Sequence, residues 1–274
     1  VYRKWERTNC SASLKILGEI EILSETINDI SVKKSRFEYL VFLSEYDLIR
    51  PDYIRIAYKA IHQKKTAGLI GGQTELASDV NPPKWFGKYT ELFAVGRQAE
   101  ESGDITYSKG FVWNSAVVAR KKAIQDAKKI KPFFEDFITV NGNVNLPYDL
   151  DLSARVKLSG WKIMYEERLL SGRFINVNRF KWENLRKLYY LKGSEEILVN
   201  ATPMNIGDHI KIKNGGSWIN EAKRTFLDLN KYPYKKIFSM ESEYRNDAEV
   251  LEIEKLQGRL KVILKIKNQY QNKG

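Results

Sequence analysis

The first clear pattern along the chain is an unbroken apolar run, Tyr39-Leu40-Val41-Phe42-Leu43. A run without polar alternation reads as a strand buried on both faces, as strands of parallel sheets do. It ends in Ser44-Glu45-Tyr46-Asp47, at the carboxyl end of the strand, where open α/β sheets place ligands. Pro51 then starts a helix, with Asp52 in its first turn and Ile54, Ala57, Tyr58 and Ile61 on one face. Gly68-Leu69-Ile70-Gly71-Gly72 reads as a short strand and turn, and Asn81-Pro82-Pro83 breaks the chain. Trp85 to Val95 predicts an aromatic-rich helix, Ile105 to Ala119 a long strand region, and Arg120 to Ile130 a basic helix. Alternating strands and helices argue for an α/β layer.

The stretch Leu146 to Tyr165, LPYDLDLSARVKLSGWKIMY, carries the most information. Leu150, Leu152, Ala154, Val156 and Leu158 alternate with polar residues, which is a strand template. Wound as a helix, Leu150, Ala154 and Leu158 form one stripe and Leu152 with Val156 a second, which suits a helix covered on two sides. Ser159-Gly160 stops the segment, glycine fitting a left-handed C-cap, and Trp161 to Tyr165 leaves as a strand. Asp149 and Asp151 stand at the acidic start, where the helix dipole favours a carboxylate.

Farther on, Arg173 precedes an Arg179-Phe180-Lys181-Trp182 stretch, and Lys181 to Leu191 predicts a helix with Leu185, Leu188 and Tyr189 together. Ala248 to Tyr270 predicts a charged helix with Ile253, Leu256, Leu260 and Ile263 on one face, interrupted by Gly258. Residues 1–37 are poor in pattern; Glu19 to Leu23 is the one strand candidate there. Neither an internal repeat nor a low-complexity tract is visible.

Composition narrows the classes. The 274 residues, 43% hydrophobic, suffice for one large domain or two small ones. No apolar run approaches the ~18 residues of a membrane span. The single cysteine, Cys10, rules out an internal disulfide and a cysteine metal cluster, and a reducing cytoplasm is the default compartment. The net charge of +12 attracts nucleic acid, anionic lipid or phosphorylated substrates alike. No zinc spacing, RNA-binding aromatic signature or basic zipper accompanies it, so no nucleic-acid partner is expected. His62 and His209 are isolated.

Taken with the order of these segments, Leu146–Tyr165 resembles the acidic segment of inverting family 2 glycosyltransferases of the GT-A fold, of bacterial polysaccharide type. In that family a Gly-Glu-Asp precedes a helix and a Gly-aromatic-Lys-Ile strand. The Asp falls on Asp149, and the preceding positions hold Pro147 and Tyr148. Phe42 to Tyr53 and Val112 to Ala123 carry the rest of the likeness, which covers roughly residues 38–190. The resemblance implies an α/β, GT-A-like fold: a mixed, mainly parallel sheet flanked by helices. A glycosyltransferase domain would span 1–190 and a mainly helical extension 191–274. The family's first strand, with its nucleotide-base contacts, is not visible, and the expectation is a divergent or incomplete N-terminal part.

The function implied is sugar transfer from a nucleotide-sugar donor to a glycan or lipid-linked acceptor in polysaccharide biosynthesis. It would run in the cytoplasm, free or peripheral at the inner membrane. Asp149 would be the general base; an ordinary acid at a helix start is its other reading. The family holds Mn²⁺ or Mg²⁺ on an Asp-x-Asp pair against the donor diphosphate. The aligned positions are Ser44 and Tyr46; the carboxylates present are Glu45 and Asp47, weak metal ligands or a solvated loop. A histidine that often completes the metal site aligns with Arg173, whose guanidinium could neutralise diphosphate instead. Trp113 and Asn114 align with a donor- and acceptor-lining Trp-Gly-Ala-Gly. Asp151 is expected near the acceptor, behind the site or facing solvent, and Trp161 near the acceptor or, the favoured reading, in the core. Lys255, Arg259, Lys261, Lys265 and Lys267 predict a solvated basic face able to meet anionic lipid. The alternative is an inactive relative kept as a binding or assembly subunit.

Overall fold

The computed structural model describes residues 32–130, 148–201, 218–240 and 243–271. Expectations on Glu19–Leu23, Pro147, His209 and most of residues 1–37 lie outside them, as do the side chains of Asp149 and Lys267. The chain divides into two units, Val1–Phe37 and Glu38–Gly274. The elements described below belong to the second unit.

Six strands form one sheet among the described residues: β1 (Tyr39–Phe42), β2 (Asp47–Ile49), β3 (Ala67–Ala77), β4 (Gly103–Asp104), β5 (Val117–Arg120) and β6 (Lys162–Phe174). Their order is β1-β5-β3-β6-β2, with β4 also on β6. Of the described pairings only β3 with β6 is parallel; β1–β5, β2–β6, β3–β5 and β4–β6 are antiparallel. The sheet is mixed as expected, but the expected mainly parallel pairing is corrected, since four of the five described pairings are antiparallel. The expectation that Tyr39–Leu43 is a strand buried on both faces is also corrected: β1 stands at one end of the described order, and its four residues, Tyr39–Phe42, are half-buried. An apolar run does not distinguish a strand covered on two faces from one at the end of a sheet.

Helix α1 (Tyr53–Gln63) buries Tyr53, Ala57, Ala60 and Ile61 against Ile70, Val118 and Leu169 of the sheet. Helix α2 (Lys121–Ala127) and helix α3 (Tyr148–Leu158) approach β3 where Gly68 lies. A Cβ on Gly68 would stand 2.7 Å from Trp161 Cβ and 2.8 Å from Val156 Cγ1, so only glycine permits this closeness. Leu150, Leu152, Ala154, Val156 and Leu158 are all buried, as two covered stripes require. Gly160, at φ +85°, takes the left-handed position that ends the helix.

Four elements differ from expectation. Trp85–Val95 forms two short 3₁₀ turns, Phe86–Lys88 and Thr90–Phe93, instead of one helix. Phe86 and Phe93 turn into one aromatic cluster with Phe180 and Trp182, and that clustering dictates the path. In Ile105–Ala119 only the end from Val117 is strand. Gly68–Gly72, read as a short strand and turn, lies wholly within β3, and the strand expected over Trp161–Tyr165 begins at Lys162 as β6; the two run on to Ala77 and Phe174.

The C-terminal part is helical: α4 (Trp182–Ala201), α5 (Trp218–Leu229), α6 (Tyr234–Ile237) and α7 (Ala248–Gln271). Gly258 does not interrupt α7. It lets α7 touch α4: a Cβ there would lie 1.9 Å from the Tyr190 carbonyl, and one on Gly193 would lie 1.9 Å from that of Lys255. The predicted basic face is partly consumed inside the molecule. Arg259 pairs with Glu196 at 2.9 Å and with Glu221, and Lys255 pairs with Glu196 at 3.5 Å. No described helix is long and apolar enough to cross a membrane.

Candidate functional site

Asp47 opens β2, and its carboxylate is 1% exposed. Oδ2 accepts the Ser44 N–H at 2.8 Å and the Ala116 N–H at 3.3 Å, and Oδ1 accepts the Ser115 hydroxyl at 2.8 Å. Arg173 Nη1 stands 3.5 Å from Oδ1. Ala116 has φ +49°, an uncommon position for a residue with a Cβ. Both of its backbone groups are held: the N–H by Asp47 and the carbonyl by the Tyr53 hydroxyl. Burial, and then the charge of Asp47, push the Tyr53 hydroxyl far above its ordinary pKa, so it stays a donor. Asp47 is thus a brace joining β2, the 114–116 turn and β6.

Glu45 does not share this place. It is exposed in the Ser44–Asp47 turn, where its carboxylate raises the pKa of the neighbouring Tyr46 hydroxyl. The two carboxylates predicted as a pair are separated by burial and by task. No group of three His, Cys, Asp or Glu side chains able to hold a metal exists among the described residues. Asp47 already accepts three hydrogen bonds and faces a guanidinium. This donor set does not fit Mn²⁺ or Mg²⁺, which require several available oxygens.

Above the brace lies a cleft of about 710 Å³. Trp113, Asn114 and Arg173 line it, together with Arg179, Lys109 and, from α4, Leu188 and Lys192. Leu150, in the first turn of α3, also lines it, so the helix that begins at Tyr148-Asp149 borders the cleft at its N-terminus. Arg173 Nη1 donates to the Asn114 carbonyl at 3.1 Å, and its side chain is 16% exposed. Burial, then the like charge of Arg173, lower the pKa of Arg179. Trp113 is on the wall but mostly buried, and Lys109 Nζ sits 3.8 Å above its ring, so one ring face is already occupied.

The remaining predicted residues lie outside the lining. Asp151 is buried and paired with Arg155 at 2.7 Å along α3. Trp161 gives its Nε1–H to Asp126 at 3.2 Å, with Arg120 5.6 Å from its ring. It acts as packing between α2 and β6.

Sequence reasoning gave no role to Arg179, Lys109 or Gln98. Arg179 falls in the Arg179-Phe180-Lys181-Trp182 stretch, so a signal was present. Gln98 had none: its Oε1 accepts the Trp113 N–H at 2.7 Å and its Nε2 donates to the Gly72 carbonyl at 2.9 Å, contacts created only by folding.

No family model matches the chain, and no curated protein matches it. Among solved structures it is similar to a crystal structure of GalNAc-T7 with UDP, GalNAc and Mn²⁺, with a TM-score of 0.39 and 8% identity. The match covers 87% of this chain and 42% of that one, so this chain spans less than half of its neighbour's length.

Proposed function

We propose that the protein is a glycosyltransferase of GT-A type that moves a sugar from a nucleotide-sugar donor to a glycan or lipid-linked acceptor, with inversion, in polysaccharide synthesis. The observation that carries the reading is convergence on one cleft. The N-terminus of α3, Trp113, Asn114 and Arg173 come from separate parts of the sequence and meet there. The start of α3 and the Trp113-Asn114 stretch belong to two of the segments on which the family resemblance rests, and Arg173 stands where that family often has a histidine.

In the reaction an acceptor hydroxyl oxygen attacks the anomeric carbon on the face opposite the nucleotide. Its proton passes to the Asp149 carboxylate. The bond from the anomeric carbon to the diphosphate oxygen breaks, and its electron pair leaves with the nucleoside diphosphate. Asp149 is the second residue of α3. The dipole at a helix start favours the anionic carboxylate, which is the form that accepts a proton. Arg173 and the Asn114 turn would hold the donor's phosphates. No step is assigned to a metal, because the residues present do not fit one.

Asp149→Asn keeps shape and removes the base. Turnover should fall at least ~10²-fold with donor affinity nearly kept. Unchanged turnover takes Asp149 out of the mechanism. The second reading, a binding subunit without catalysis, is favoured by the internal use of Asp47. Donor binding without turnover by the intact protein, across a panel of nucleotide-sugars and acceptors, would select it.

A further inference from the structure

We infer that Arg173 and Arg179 form a clamp for a diphosphate group that works without a metal ion. The inference takes its ligand class from the nucleotide-sugar reading, and its site from the two arginines themselves.

Both side chains line the 710 Å³ cleft. Arg173 is fixed from below: Nη1 is committed to the Asn114 carbonyl and faces Asp47, while Nε and Nη2 make no hydrogen bond to the described residues. Arg179 is half-buried at the end of the 3₁₀ turn Val177–Phe180 and has no carboxylate within ion-pair distance among the described residues. The two guanidinium groups line one cleft, and partial burial and the like charge of Arg173 both lower the Arg179 pKa. Such an arrangement is costly unless an anion completes it.

Asp47 meets Arg173 from the side of the brace, and the acids that line the cleft leave Arg179 without a carboxylate among the described residues. Glu91, Glu195 and Glu196 line the cleft, and none stands within ion-pair distance of either arginine. Glu196 is bound by Arg259 and Lys255, and Glu45 stands in the exposed turn with Tyr46. A diphosphate offers two adjacent anionic groups, one for each planar fork, and paired guanidinium N–H donors match phosphate oxygens in geometry and charge. In transfer, the same contacts would stabilise the charge gathering on the leaving nucleotide. That is the task a divalent cation performs where carboxylates are available, and here Asp47 is spent on the brace.

The test is calorimetry of the full chain in EDTA with inorganic pyrophosphate. Wild type should bind pyrophosphate at least about 10-fold more tightly than inorganic phosphate. Arg179→Gln should weaken pyrophosphate binding at least about 10-fold, and Arg179→Lys should keep part of it, since a lone ammonium gives charge without the fork. Melting curves of both variants show whether the fold is kept. Equal affinity for phosphate and pyrophosphate, binding only after Mn²⁺ is added, or an unchanged affinity in Arg179→Gln would each overturn the clamp. The outcome is separable from sugar transfer. A clamp that passes in a protein without turnover removes the transferase reading and leaves the anion site standing.

Discussion

Whether Asp47 is a brace or a ligand is decided by what its charge does in the absence of metal. Consider Asp47→Asn. The amide can keep one acceptor oxygen, and the better orientation places it where Oδ2 now takes the Ser44 and Ala116 N–H groups at 2.8 and 3.3 Å. Its NH₂ then faces the Ser115 hydroxyl, which can rotate to accept, and Arg173, which cannot. What is lost is charge: the hydrogen bonds become neutral ones, and Arg173 loses its anion. With the carboxylate only 1% exposed, water does not substitute. Bonds to charged groups contribute about 1.5–3 kcal/mol each, so a loss of about 2–4 kcal/mol is expected. Asp47→Ala, which also orphans the Ala116 N–H, should cost about 3–5 kcal/mol.

The assay is urea unfolding followed by tryptophan fluorescence, in EDTA, beside thermal melts. For a chain of this size 1 kcal/mol corresponds to about 2–4 °C, so Asp47→Asn should melt roughly 4–16 °C lower. A metal ligand would behave in the opposite way. Removing one carboxylate from an acidic cleft leaves metal-free stability within about 0.5 kcal/mol or improves it. An Asp47→Asn protein as stable as wild type in EDTA, with Mn²⁺ stabilising only the wild type, refutes the brace.

Packing and charge give further expectations. Gly258→Ala places a Cβ 1.9 Å from the Tyr190 carbonyl and must part α4 from α7; overpacking of about 1–3 kcal/mol should outweigh the gain of up to about 1 kcal/mol in helix propensity. A raised melting temperature would contradict that contact, and Gly193→Ala, at the same crossing, should be less than additive with it. Arg168 first, with Lys64 assisting, holds the Glu166 carboxyl below its ordinary pKa of 4.5. A depressed carboxylate contributes stability above its unfolded pKa and loses it as pH falls through the lower folded value. Wild type should therefore exceed Glu166→Gln in urea midpoint at pH 7, with the gap closing only below about pH 4.5; a gap constant down to pH 3 would contradict the ion pairs.

The sequence made α3 legible because its two stripes report burial directly, and helix and strand templates could be compared position by position. The likeness of separate segments pointed to Trp113, Asn114, Arg173 and the start of α3, and these border one cleft. Strand direction was not legible. Side-chain pattern says which face is apolar, whereas parallel or antiparallel pairing depends on connections such as the one from Gly103 to Val117, which carries little periodicity. Asp47 was legible as an acid after a strand and not as a brace, since Ser115, Ala116 and Arg173 are far away in sequence. Trp161 is favoured as a packing residue over a sugar platform because aromatic rings are more often core, and its contacts to Asp126 and Arg120 agree with that.

The two arginines of the cleft differ in what fixes them, and that difference governs how an anion would be held. Arg173 is held by Asp47 and by the Asn114 carbonyl, so its orientation is set before a ligand arrives. Little side-chain entropy is then lost on binding, which is the usual gain from preorganisation. The same bonds make Arg173 part of the fold: removing it leaves the Asp47 carboxylate buried without its cation, and a fall in affinity would mix binding with stability. Arg179 lacks such a carboxylate among the described residues, so on the clamp proposal its charge would be met by what enters the cleft. That is why Arg179, and not Arg173, is the position at which binding can be read cleanly. On the clamp proposal Asp47 would keep a part in function at one remove. It aims an arginine where the resembling family aims an ion, and the charge that meets the phosphates would come from a side chain fixed in place by that brace.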